Sequence, residues 1–397
     1  MELTRDEEAI LRGEKGPRQQ ECMRILATLG EMYGARKLLP VYSVQLSGIS
    51  YKTMGSAGTE FLEEMAEGGA KFAVRTTINP AGYDVGGPGL VRTHEDFRAK
   101  QDRLVKALMT LGATPTFTCT PYTTEFAPPP GAHLAWAESS AVIYANSVIG
   151  AFSNREGAPS ALASAVLGKT PDYGLHRPEG RRAQVVVDVD LSKGPMRYTV
   201  VGAYLGKILG QRIPYFRGFR PLPDVDAMKE LGSSLSAWGA VPMMHVEGVT
   251  PEAGKQDLEG LEHLSVDAQI VGEFQKCLGC DESPNLVAIG CPHCTKGELI
   301  QIAQAVKQKG RRLKPGTELW VCSNRKVIQE NAAAIQVLRQ AGAKVIQDTC
   351  MVVAPLSEQF PVAAVNSAKA SFYMNKKAFS GQKIVFDTTE NLVEKYL

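Results

Sequence analysis

The chain has 397 residues, 44% of them hydrophobic and 22% charged, with 44 basic against 42 acidic side chains. This is the mix of a globular protein with enough apolar material for two or three domains, and a net charge of +2 gives no general electrostatic reason to expect nucleic acid or a membrane surface as partner. No apolar run reaches the ~18 residues of a membrane span, residues 1–8 carry no apolar leader, and eight cysteines scattered over so long a chain point to a reduced, cytoplasmic protein whose cysteines are core residues or ligands.

Taken in order, Thr4 to Glu7 reads as a capping box opening a helix through Leu11. A second helix is expected over 17–33, with Pro17 in its first turn. Strands are expected over 38–46 and 71–78, and a helix over 59–67 ended by Gly68 and Gly69. A long amphipathic helix over 93–111 is capped by Gly112, and 114–120 reads as a strand ending at Cys119. Residues 128–130 are three prolines and mark a loop. Helical patterns follow at 132–149, 159–167, 198–209, 224–238 and 266–275, with strand patterns at 183–189 and 241–246. The last third alternates regularly: strand 286–289, helix 296–309, strand 318–322, helix 326–340, strand 343–347 and strand 362–365. That is the pattern of a parallel sheet with helices on its faces, in which ligands sit at the carboxyl ends of strands. The division expected is an N-terminal α/β region over 1–130, a middle α/β region over 131–283 and a C-terminal βαβαβ region over 284–397.

The cysteines allow two metal readings. Cys277 and Cys280, then Cys291 and Cys294, form two CxxC pairs separated by ten residues, the spacing of a zinc ribbon and of a zinc-bearing binding protein. Against it, the second pair stands between a buried-looking strand and a helix start. The other reading takes one cysteine from each of three distant segments, Cys119, Cys291 and Cys350, each at the end of an apparent strand. Three thiolates hold an iron–sulfur cluster while leaving one iron without a protein ligand, and such an iron is a Lewis acid. Cys22 and Cys322 fit core positions.

Several segments, in this order, carry a resemblance: Gln45-Leu46-Ser47-Gly48-Ile49-Ser50-Tyr51, Thr77-Ile78-Asn79-Pro80, Thr118-Cys119-Thr120-Pro121-Tyr122, Trp136-Ala137-Glu138-Ser139-Ser140, Ile289-Gly290-Cys291-Pro292-His293 and Asp348-Thr349-Cys350. Along nearly its whole length the chain resembles the aconitase X family of hydro-lyases. The resemblance implies an α/β fold of aconitase-like domains, with parallel sheets flanked by helices around a cluster cleft. It implies an iron–sulfur cluster, most simply 4Fe–4S, on Cys119, Cys291 and Cys350. It also implies a separate small subunit as partner, which carries the proton-abstracting base, so no catalytic residue is assigned to this chain. The activity it implies is dehydration of (R)-5-phosphomevalonate to an anhydromevalonate 5-phosphate, with cis-3-hydroxy-L-proline as the alternative substrate. Cys277 and Cys280 take no role from it.

The same resemblance assigns substrate binding to Gly48, Ile49, Ser50, Asn79, Pro80, Glu138, Ser139 and Lys369. Gly48 and Ser50 lie in a loop after a strand, where backbone N–H groups face an anion, or where a plain turn forms. Asn79 and Pro80 end a strand in ordinary turn chemistry. Glu138, in an apolar helical stretch, is either a helix-face residue or a buried acid with a raised pKa. Lys369 is suited to neutralising a carboxylate or phosphate. His293 is read as a hydrogen-bonding group beside the cluster or as a loop histidine. The glycine-rich stretch 82–89 lacks the Lys-Ser/Thr ending of a nucleotide-binding loop.

Overall fold

Short β-branched and apolar runs, separated by helices, assemble into separate parallel sheets. The computed structural model describes residues 1–191, 197–310 and 313–397. In the first part of the chain β1 (Leu38–Pro40) and β5 (Lys169–Pro171) form an antiparallel pair, while β2 (Ser43–Leu46), β3 (Thr76–Ile78) and β4 (Leu134–Trp136) form a parallel sheet in the order β3-β2-β4. β4 lies beyond residue 130 yet adds to this first sheet. The second sheet runs β8-β7-β6-β9 from β6 (Val185–Asp190), β7 (Pro214–Arg217), β8 (His245–Val246) and β9 (Glu262–Asp267), all parallel. The third runs β12-β11-β10-β13-β14 from β10 (Leu286–Cys294), β11 (Glu318–Ser323), β12 (Lys344–Ile346), β13 (Val362–Val365) and β14 (Lys383–Phe386), again parallel throughout. The α/β class with helix-flanked parallel sheets is thus as expected.

Parallel strands covered on both faces need side chains that are apolar in both directions, and β10 shows it. Val287 and Ile289 join Leu299 and Ile302 beneath one face, while Leu286 and Ala288 join Met351 and Leu356 beneath the other. Its following helix, Lys296–Lys309, starts at a Thr295–Glu298 capping box, which satisfies two of the orphan N–H groups at that end.

Local competition explains where expectation and structure part. Residues 38–46 divide into two strands of different sheets. Residues 114–120 are not a strand: only Thr114 bridges to Thr77, and Phe117 takes φ 43, which no extended chain tolerates. The helix expected over 326–340 is split at Asn331, whose side-chain amide donates to the Val327 carbonyl at 2.7 Å; that side-chain bond competes with the helical ladder. Strands β7, β9 and β14 had no clear alternating pattern and were not expected.

Two helices of the middle part, Tyr198–Leu209 and Val225–Gly239, pack against each other closely enough that a Cβ on Gly202 would meet the Leu231 carbonyl oxygen at 2.4 Å. Gly202→Ala gains at most about 1 kcal/mol of helix propensity. The clash is with backbone, which cannot rotate away, and overpacking of this kind costs roughly 1–3 kcal/mol. The variant is therefore expected to melt at lower temperature than the parent, and an unchanged or raised Tm would show that the helices separate without cost.

Candidate active site at the facing sheet edges

Because β2, β3 and β4 are parallel, their carboxyl ends share one edge. That edge carries residues 48–50 after β2, Asn79 and Pro80 after β3, and Glu138 and Ser139 after β4. The third sheet delivers Cys291 within the end of β10, Cys350 after β12 and Lys369 after β13. The two edges meet. Lys369 Nζ donates to Glu138 Oε1 at 2.5 Å and to Ser140 Oγ at 2.9 Å. Asn79 Nδ2 donates to Glu138 Oε2 at 2.6 Å, and its Oδ1 accepts from Gln45 Nε2 at 2.9 Å. Of the expected substrate residues, Asn79, Glu138, Ser139 and Lys369 therefore form one network, with Pro80 buried beside it.

Glu138 is not in a helix. It is the N-cap of the helix Ser139–Tyr144, accepting from the Ser140 N–H. Nor is its pKa raised. Burial alone would raise it, but Lys369 and the hydrogen bonds from Asn79 and Ser140 outweigh burial and hold it at about 2. Lys369, in turn, is buried, yet the carboxylate of Glu138 raises its pKa. The charge that sequence reading offered to a substrate phosphate is already matched by a protein carboxylate.

The three cysteines converge on this pair. Cys119, Cys291 and Cys350 are 7%, 8% and 7% exposed, and each feels Lys369 and Glu138 electrostatically. Burial pushes the Cys119 thiol up to about 12 and raises the other two. Cys119 Sγ accepts the His293 N–H at 3.4 Å, and the N–H groups of Val353 and Val352 counter burial at the Cys350 thiol. The His293 side chain touches neither sulfur. Its Nε2 lies 3.1 Å from the Thr349 carbonyl and its Nδ1 3.0 Å from Thr118 Oγ1. A carbonyl only accepts, so Nε2 carries the proton and the Thr118 hydroxyl donates to Nδ1. Burial lowers the ring to about 4, so it stays neutral. His293 thereby ties together the segments of all three cysteines.

The donor chemistry fits an iron–sulfur group. Among the described residues no three His, Cys, Asp or Glu side chains lie close enough to hold a single metal ion. In a cluster, however, each thiolate binds its own iron and the ligands stand further apart. Buried polar atoms without a partner, Gln45 Oε1, Tyr122 OH and Thr349 Oγ1, cluster on the segments that carry or adjoin Cys119 and Cys350. The zinc ribbon is excluded by position: Cys277 and Cys280 are exposed, whereas Cys291 and Cys294 are buried within β10.

The loop of residues 48–50 is built for a tight approach. Gly48 takes φ 77 with open space where a Cβ would be. Ile49 is buried and its carbonyl accepts from Gln101 Nε2 at 2.9 Å. Ser50 caps the helix Tyr51–Glu67 and donates to the Val353 carbonyl at 2.9 Å. Sequence reading missed Lys52, whose Nζ donates to the carbonyls of Val352 and Ala354 and to Ser380 Oγ; an isolated lysine in a helical stretch carries no signal. Residues 82–89 form a turn-rich loop pinned to this region, with the Gly86 N–H donating to Asp348 Oδ2 at 2.9 Å.

The middle part holds the site from behind. Thr199 Oγ1 accepts the Ala368 N–H at 2.9 Å, and Trp238 Nε1 donates to the Ala368 carbonyl at 3.0 Å, fixing the residue before Lys369. Lys229 Nζ donates to the His293 carbonyl at 3.2 Å and pairs with Glu298.

This arrangement, with sites at parallel strand ends and three converging cysteines, belongs to a known class. Family models described as Aconitase X first domain, second domain and third domain match residues 1–179, 183–276 and 284–397. The chain belongs to the aconitase X family. It is 42% identical, over 98% of each chain, to a protein of Methanothermobacter thermautotrophicus named phosphomevalonate dehydratase large subunit. The crystal structure of Thermococcus kodakaraensis aconitase X in its holo-form superposes with a TM-score of 0.92 at 38% identity, covering all of both chains. A cis-3-hydroxy-L-proline dehydratase of Hypocrea jecorina is 31% identical over 99% of this chain but 68% of its own length.

Removing one member of the ion pair strands the other. Lys369→Met leaves the Glu138 carboxylate desolvated and is expected to destabilise the fold by about 3 kcal/mol, the low end of the range for a broken buried pair, because Glu138 keeps 14% of its side chain exposed. The double variant Glu138→Gln/Lys369→Met should recover most of the loss in denaturant unfolding. The sign with pH follows from the lowered carboxyl: its contribution is complete above about 4.5 and fades as pH falls toward 2. A single variant no less stable than the double would show that the pair does not act as a unit.

Proposed function

We propose that this chain is the cluster-bearing large subunit of a hydro-lyase that dehydrates (R)-5-phosphomevalonate, giving an anhydromevalonate 5-phosphate. The observation that carries the reading is the convergence of Cys119, Cys291 and Cys350 on the Lys369–Glu138 pair, in a chain similar along its whole length to named phosphomevalonate dehydratase large subunits. Cys119, Cys291 and Cys350 hold the cluster, assigned as 4Fe–4S. Once bound, it supplies a Lewis acid for the departing hydroxyl.

The chain's own residues bind and orient. Asn79, Ser139 and Lys369, locked through Glu138, present a fixed polar wall; fixed groups contribute without reorganising as charge moves. Gly48, Ile49, Ser50 and Pro80, on the same carboxyl edge of the first sheet, are assigned to the substrate as well. The carbon-bound proton goes to a base on a small subunit. That partner is supported by the relatives' designation as large subunits. No helix among the described residues is long and apolar enough to cross a membrane, and we place the enzyme in the cytoplasm.

Two experiments test this. Serine at Cys119, Cys291 or Cys350 should remove both bound iron and activity, while serine at Cys277 or Cys280 should leave both; iron lost with Cys277→Ser but kept with Cys119→Ser overturns the ligand set. The chain assembled with its small subunit should turn over (R)-5-phosphomevalonate and not cis-3-hydroxy-L-proline. The reverse preference refutes the substrate and leaves the hydro-lyase standing.

A further inference from the structure

Three successive carbonyls just after Cys350 are held by two side chains that flank the start of the helix Tyr51–Glu67. Lys52 Nζ donates to the Val352 and Ala354 oxygens, each at 3.2 Å, and Ser50 Oγ donates to the Val353 oxygen between them at 2.9 Å. The third Lys52 donor reaches Ser380 Oγ at 2.6 Å. The N–H ends of two of these peptide units turn back to Cys350: Val353 N–H and Ala354 N–H donate to the Cys350 carbonyl at 3.3 and 3.1 Å, and the Val352 and Val353 N–H groups counter the effect of burial on its thiol. In the peptide unit between Val352 and Val353, the ammonium at the carbonyl end and the thiol near the N–H end align the dipole with the charge of a thiolate. Lys52 is partly buried, and all its neighbours through Nζ are neutral oxygens; the titratable group that acts on it is Cys350.

We propose that Lys52 is a positioning residue that locks the Cys350 loop to the loop of residues 48–50 and supplies the positive charge facing the Cys350 end of the cluster site. This rests on the reading of Cys350 as a ligand. It gives the site a built-in connection: the loop offered to substrate and the loop offered to metal are cross-braced through Ser50 and Lys52, so a shift in either is felt by the other. A lysine serving only to fill space would need no donors aimed at the Val352 and Ala354 carbonyls.

The test uses the full chain reconstituted without oxygen from iron and sulfide, as wild type, Lys52→Met and Lys52→Arg. Iron per chain, the rate at which an excess of iron chelator bleaches the visible absorbance, and the melting curve of the metal-free chain are measured together. Lys52→Met should bleach roughly tenfold faster or more, the scale of a lost hydrogen bond to a charged group. Lys52→Arg, which keeps the charge, should stay within about threefold of wild type, and the metal-free melts should move far less than the bleaching rates. If Lys52→Met fails to fold, Lys52→Arg decides, and bleaching tenfold or more faster than wild type overturns the assignment. Wild-type iron content and bleaching in Lys52→Met also overturn it, while leaving the cysteine ligands in place. A wild-type chain that takes up no iron defeats the ligand reading and this inference together.

Discussion

One ion pair between segments 231 residues apart closes the site: Lys369 Nζ against Glu138 Oε1. A desolvated carboxylate or ammonium alone is prohibitively costly, so neither side chain is tolerated where it stands unless the other arrives. The carboxyl edge of the first sheet and that of the third must therefore face each other at hydrogen-bond distance. Asn79 and Ser140 complete the coordination of Glu138, and it is this full set of partners, rather than the Coulomb attraction alone, that compensates desolvation. The value of such a pair lies less in net stability than in admitting only one relative placement of the two edges.

That placement is transmitted rather than local. Residue 368 is gripped on both its N–H and its carbonyl by Thr199 and Trp238, which sit on the two helices of the middle part that approach through Gly202. The same helix that carries Trp238 carries Lys229, which holds the His293 carbonyl. His293 then spans the cysteine segments through a neutral ring whose two nitrogens have opposite roles. Packing of two helices thus sets the position of Lys369 and of the cysteine-bearing segments at once.

The sequence made some of this legible and hid the rest for identifiable reasons. The C-terminal alternation of strand and helix was readable because strands buried on both faces are long unbroken apolar runs, as in Leu286 to Ile289. Short half-patterned strands such as Pro214–Arg217 had no period to detect. Glu138 was misplaced into a helix because Ala135 to Val142 is apolar in either conformation, and its pKa was misjudged because burial is visible in composition while a partner at position 369 is not. The cysteine triad was legible only through the resemblance; spacing alone favoured the two CxxC pairs, one of which proves to be at the surface. Lys52 was invisible because its meaning lies wholly in carbonyls three hundred residues away.

Among the described residues, the charges around the cysteines are matched unevenly. Lys369 is matched by Glu138, Lys229 by Glu298 and Arg325 by Asp348. Lys52 has neutral partners only, and burial pulls its pKa down to about 8 against the opposing influence of Cys350. The Cys350 thiol is pushed the other way, up, also by burial. Each group is thus biased toward its neutral form by desolvation, while Cys350 favours the charged form of Lys52. A cluster held by Cys350 would deprotonate its thiol outright, and the Lys52 ammonium, facing it across the Val352–Val353 peptide, would then stand opposite that negative charge.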